Sequence, residues 1–129
     1  MINETTNFYL ILGFIFHCVG DYVTQTNWMA NEKTKRFFPA FLHATVYSLP
    51  FVFIVPFEYW LIICSTHFFI DRYRLAVYVI RLKENNWTGD NFGYKDEMPK
   101  FLSMWLLFIA DNTIHISINA ICIILGNRI

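Results

Sequence analysis

Four apolar runs, at about residues 7–25, 37–55, 57–80 and 99–125, fill most of this 129-residue chain. Each is near the ~20 residues a helix needs to cross the hydrocarbon core of a bilayer. The second and third meet around Pro56, as a tight antiparallel helix pair would. The pattern predicts an all-α fold, an integral membrane four-helix bundle with antiparallel neighbours, in one domain covering residues 1–129. Composition agrees: 56% of residues are hydrophobic and 16% charged, against roughly 45–50% and about 25% in soluble domains.

The one long polar stretch, KENNWTGDNFGYKDEMPK, runs from Lys83 to Lys100. It reads as a loop over about 83–98, with Trp87, Phe92 and Tyr94 at lipid headgroups. Nine of the ten Lys and Arg residues fall on the side that holds this loop and the first connection, Arg128 being the exception. The positive-inside rule makes that side cytoplasmic and puts both termini outside. The N-terminal MINETTNFYL has an acid and no base before its apolar run, which reads as a retained span rather than a cleaved signal. Net charge is zero, so no basic field recommends nucleic acid as a partner. Cys18, Cys64 and Cys122 lie in apolar runs without CxxC spacing and read as buried small hydrophobes, not a disulfide framework.

Against this apolar background the polar residues stand out. All four histidines, His17, His43, His67 and His115, fall in the predicted spans, and three of them have an aspartate four positions away: His17/Asp21, His67/Asp71 and Asp111/His115. Residues four apart share one helix face. The order of each pair follows helix direction, so in all three spans the Asp faces the cytoplasmic side and the His lies one turn deeper. His43 enters from the same end and reaches a similar depth. An ionised Asp at mid-membrane costs roughly 2.5–3.5 kcal/mol, so three of them require compensation.

A divalent metal would supply it, because imidazole and carboxylate are the N/O ligands of Zn, Mn or Fe and helix bundles build such sites from inward side chains. Candidate ligands are His17, Asp21, His43, His67, Asp71, Asp111 and His115, enough for one or two ions. Asp21, Asp71 and Asp111 are the catalytic candidates, any one left unligated serving as base. Gln25 and Asn119 continue the same faces and could orient ligands or simply hydrate helix ends. Cys64 could be a soft ligand or a packed core residue. Arg72 and Arg74 are positive-inside anchors, or contacts for an anionic group such as phosphate. Two other uses of the same residues stay open: proton or ion passage, and interhelical hydrogen bonding that only sets helix register.

The stretches FHCVGDYVTQTNWMANEKTK, FLHATVYSL, STHFFIDRYR and FIADNTIHI together resemble a family of small bacterial and phage membrane proteins, domain of unknown function 3307. Its pattern is H-x-x-x-D-x-x-x-Q in the first helix, a lone His in the second, H-x-x-x-D in the third and D-Q-x-x-H in the fourth. His17, Asp21, Gln25, His43, His67, Asp71, Asp111 and His115 match it, while Asn112 stands for the usual Gln and Arg74 for Lys. A loosely similar group is labelled as membrane-bound metal-dependent hydrolases. The resemblance implies an integral protein of the bacterial inner (plasma) membrane, or of a phage, with a metal site and no established reaction.

The expectation is therefore a metal-dependent hydrolase acting on a lipid or membrane-associated ester, in particular a phosphoester. The alternatives are a proton or divalent-ion transporter component, which with only four helices would call for a homo-oligomer, and a non-catalytic membrane module.

Overall fold

The computed structural model describes residues 3–128, and these are all-helical, with no strand among them beyond an isolated bridge between Asn91 and Tyr94. Helix α1 (Glu4–Cys18) starts where the Asn3 carboxamide accepts from the Thr6 amide at 2.7 Å, and Glu4 in its first turn favours the helix dipole. It continues as a π-helical turn over Val19–Val23. A short helix α2 (Asn27–Glu32), capped by Thr26, leads to α3 (Phe37–Ser48). There Pro50 removes a backbone donor, and the chain tightens into a 3-10 turn, Leu49–Phe53. Pro56 and Pro99 precede α4 (Phe57–Tyr73) and α6 (Lys100–Gly126), where a missing N–H costs nothing.

The third apolar run is not one helix. Arg74 takes left-handed backbone angles (φ 52°, ψ 48°) and ends α4; α5 (Leu75–Glu84) then departs separately, burying Ala76, Val77 and Ile80. The apolar run at 57–80, expected as one helix, is thus divided between Phe57–Tyr73 and Leu75–Glu84. Two helical stretches, Glu4–Val23 and Lys100–Gly126, are long and apolar enough to cross a membrane, while Phe37–Phe53 is shorter. The polar segment after α5 is a loop as expected, but folded back on itself. Asn86 donates to the Tyr94 carbonyl and Asn91 to those of Lys95 and Met98. Tyr94 is consequently buried rather than placed at a surface, whereas Trp87 is exposed.

Cross-helix pairs give the packing directions. Gly13 lies against Ile123 while His17 meets Asn112, and Tyr59 lies against Gly126 while Asp71 meets His115. Trp60 donates to the Ser48 carbonyl while His67 meets His43. Hence α1 and α4 both run antiparallel to α6, and α4 to α3. One end of this arrangement holds an apolar core of Tyr47, Phe51, Ile54, Val55, Ile63, Cys122 and Ile123. The other holds the histidines.

Candidate metal centre

All four histidines are at most 2% exposed. Four side-chain atoms from three segments converge: Nε2 of His43 (α3), Nε2 of His67 and Oδ2 of Asp71 (α4), and Oδ1 of Asp21 (the π-helical turn). The two Nε2 atoms are 3.0 Å apart. Asp21 Oδ1 lies 3.2 Å from His43 and 3.4 Å from His67, and Asp71 Oδ2 lies 3.2 and 3.3 Å from the same two atoms. Five of the six edges of a four-atom figure are thereby known. An ion with bonds of about 2.0–2.1 Å spaces tetrahedral ligands about 3.3–3.4 Å apart, and two triads that share the imidazole pair, one closed by Asp21 and the other by Asp71, stand close to that spacing.

Hydrogen bonding alone does not satisfy this cluster. Each Nε2 carries at most one proton, while each faces the other Nε2 and two carboxylate oxygens at 3.0–3.4 Å. Asp21 Oδ1 and the Nδ1 atoms of His43 and His67 are buried without a hydrogen-bond partner. An orphaned carboxylate oxygen ringed by imidazole nitrogens is an unfavourable group that a cation would relieve. The residues present therefore fit a divalent ion.

His17 stands outside the convergence. Asn119 donates to the Tyr47 hydroxyl at 2.7 Å, leaving Tyr47 to donate to His17 Nδ1 at 2.8 Å, and His17 Nε2 to donate to the Asn112 carbonyl at 2.7 Å. Tyr22 donates to the same Asn112 oxygen. Both His17 nitrogens are committed, and Asp21 Oδ2 is 3.6 Å from its Nδ1. Tyr47 also stacks on His67, with centroids 3.6 Å apart and planes 17° apart, which fixes that ring. Tyr47 follows His43 at the same four-residue step as the other pairs, but a phenol in an apolar run carries no ligand signal in the sequence.

His115 and Asp111 lie on the other flank. His115 Nε2 is 3.1 Å from Asp71 Oδ1 and 3.5 Å from Asp111 Oδ2, so it donates to Asp71 and holds that carboxylate in place. His67, Asp71 and His115 form a second, overlapping donor group with all atoms within 4.8 Å. Asp111, with its side chain 30% exposed, reaches only His115 among the clustered residues. Lys33, expected only as a charge at the membrane surface, places Nζ 2.6 Å from Asp71 Oδ2.

Of the remaining candidates, Gln25 donates to the Asp21 backbone carbonyl at 3.3 Å. Arg72 spends its fork on the carbonyls of Thr34 and Lys35, bracing the connection that carries Lys33. Cys64 points its thiol at the Ala44 carbonyl, 3.8 Å away, and contributes to neither donor group. Gly20 makes the convergence sterically feasible, because a Cβ there would meet Tyr47 Cδ2 at 2.5 Å and Tyr47 Cα at 3.2 Å. Only glycine lets the π-helical turn come close enough to α3 for Asp21 to reach His43.

Residues 9–127, nearly the whole chain, match the model of a family described as "Protein of unknown function (DUF3307)". No curated protein and no solved structure gives a significant match.

Proposed function

We propose, from the premise that the chain belongs to the DUF3307 family and that the family's description assigns no function, that it is a membrane-embedded, metal-dependent hydrolase of a lipid or membrane-associated ester. The donor set of Asp21, His43, His67 and Asp71 carries the reading. Its edges of 3.0–3.4 Å suit one divalent ion of the Zn, Mn or Fe kind.

The membrane part of the proposal rests on an inverted distribution of polarity. Around the histidine level the outward side chains are Phe14, Phe41, Phe69 and Ile109, each at least half exposed, while the imidazoles are buried. Exposed apolar surface on this scale calls for a covering, and a bilayer covers all four helices at once. Stretches Phe37–Phe53 and Phe57–Tyr73 would be about 25 Å long at 1.5 Å per residue. Local thinning of the bilayer accommodates that shortfall.

Asp71, within the donor set, also lines a cleft, together with Asp111 outside that set; this favours a working site over a sealed structural one. A divalent ion bound there would polarise the ester oxygen and acidify an attacking water. Asp111, outside the ligand set, would take that water's proton as the water oxygen bonds to the ester carbon or phosphorus. The ester bond to the alcohol oxygen then breaks, and the proton passes to the leaving alcohol. Lys33 would hold Asp71 when the carboxylate is not fully engaged by the ion.

Passage of protons or ions is less well supported, because the hydrogen-bonded chain ends at Tyr47 and Asn119, against the apolar core of Phe51, Ile63 and Ile123. The two readings separate experimentally. Metal-dependent ester turnover in detergent that is lost in Asp111→Asn supports the enzyme. Ion flux into proteoliposomes that vanishes in Asp21→Asn, without turnover, would replace it.

The ligand assignment has its own test. His43→Ala should lose stoichiometric metal, whereas His17→Ala should keep it, at a stability cost of about 1–3 kcal/mol from stranding Tyr47 and Asn112. Equal metal loss in the two variants, read by elemental analysis, would refute the division of roles between these histidines.

A further inference from the structure

A cleft of about 230 Å³ adjoins the candidate centre. Lys33, Asp71, Arg74 and Asp111 line it beside apolar walls that include Met104 and Phe108. A second groove, also about 230 Å³, is formed by Met104, Trp105 and Phe108, so the two share a wall. One is charged where it meets the site; the other is wholly apolar and lies among the exposed side chains of α6.

The break at Arg74 puts a cation at this cleft. Left-handed angles at a non-glycine residue are sparsely populated, and here they end α4 three residues past Asp71, so that Arg74 lines the same cleft as that carboxylate. Arg74 is exposed, makes no ion pair among the described residues, and has its guanidinium carbon 5.8 Å from the centroid of the Phe92 ring. Asp71 is already matched by Lys33 and by the neighbouring imidazoles. That leaves Arg74 and Asp111 as the charges at the cleft beyond this pairing, and Arg74 brings a planar fork that suits phosphate oxygens.

We infer that this cleft binds a phosphate-bearing amphiphile, its phosphate held by Arg74 with Lys33 and its chain lying along Met104, Trp105 and Phe108. The inference rests on the hydrolase reading for the chemistry done on the ligand, and it makes the substrate a phospholipid-like ester. Any phosphate held by Lys33 lies next to Asp71, because the Lys33 ammonium is 2.6 Å from that carboxylate.

Native mass spectrometry of the detergent-solubilised full chain tests this with phosphatidic acid, diacylglycerol and inorganic phosphate as probes. Phosphatidic acid should be retained at one per chain and diacylglycerol should not. Arg74→Asn, a residue that tolerates the left-handed backbone, should lower that retention roughly tenfold or more, and Lys100→Gln, on the exposed end of α6, should leave it unchanged. Elemental analysis of Arg74→Asn should give the parent's metal content, which shows that the fold is intact. Equal retention in the two variants would overturn the inference, and so would displacement of the lipid by equimolar inorganic phosphate. If the hydrolase reading alone fails, Arg74-dependent binding persists without turnover. If this inference alone fails, metal-dependent turnover continues in Arg74→Asn at the parent's rate.

Discussion

Replacing Asp71 by Asn should release the metal and abolish ester turnover while leaving the helices folded. Asp71 Oδ2 supplies one vertex of the proposed shell and Oδ1 accepts from His115. Its loss therefore removes a ligand and the anchor of a neighbouring imidazole together. Partners one shell away from a metal typically cost 10–100-fold in affinity, so loss of this ligand should cost at least about 100-fold. Lys33 would also lose its ion-pair partner, yet with its side chain 18% exposed it can turn to solvent, so the fold should survive. Metal titration and size-exclusion profiles of the variant and parent check both halves. Parent-like metal affinity in Asp71→Asn would remove Asp71 from the site.

A methyl group at position 20 should damage the site from a distance. Gly20→Ala sets a Cβ against the ring and backbone of Tyr47; the ring is stacked between helices and the backbone cannot move without α3. Overpacking of this kind costs about 1–3 kcal/mol. Because Tyr47 stacks on His67 and bonds to His17, displacing it should also weaken metal binding. Gly13→Ala offers a comparison, since its new methyl would clash with the terminal carbon of the Ile123 side chain and with no backbone atom, touching Phe51 at an ordinary 3.6 Å. Unfolding in graded denaturing detergent should rank Gly20→Ala well below Gly13→Ala. The reverse order would mean that close approach of the π-helical turn to α3 is not what holds the site together.

Much of the site was legible in the sequence because buried charge is costly. Histidines and aspartates four apart in apolar runs have few explanations, and the structure does bring Asp21, His43, His67, Asp71 and His115 together. Their division of labour was not legible. The spacing treats His17/Asp21 and His67/Asp71 alike, but the π-helical turn sends Asp21 toward His43 while Tyr47 and Asn112 occupy His17. Helical periodicity carries no signal for such a turn. Asp111 shares the spacing too, yet lies at the cleft because its neighbour His115 faces Asp71.

The helices were legible except where a boundary lacked its usual marker. Pro50, Pro56 and Pro99 announce their breaks. Arg74 does not: the apolar LAVYVI continues the run behind it, and left-handed backbone is expected of Gly or Asn rather than Arg. Tyr94 misled in the opposite sense, since an aromatic in a polar loop reads as an interfacial anchor. Two asparagine carboxamides instead fold the loop over it.

The most direct test of the account is elemental analysis of the purified protein, combined with X-ray absorption at the edge of whichever metal is found. The account predicts one ion per chain with a nitrogen and oxygen shell at about 2.0–2.1 Å, two of its ligands imidazole. Absence of stoichiometric metal after incubation with Zn or Mn, or a sulfur shell at about 2.3 Å, would contradict it.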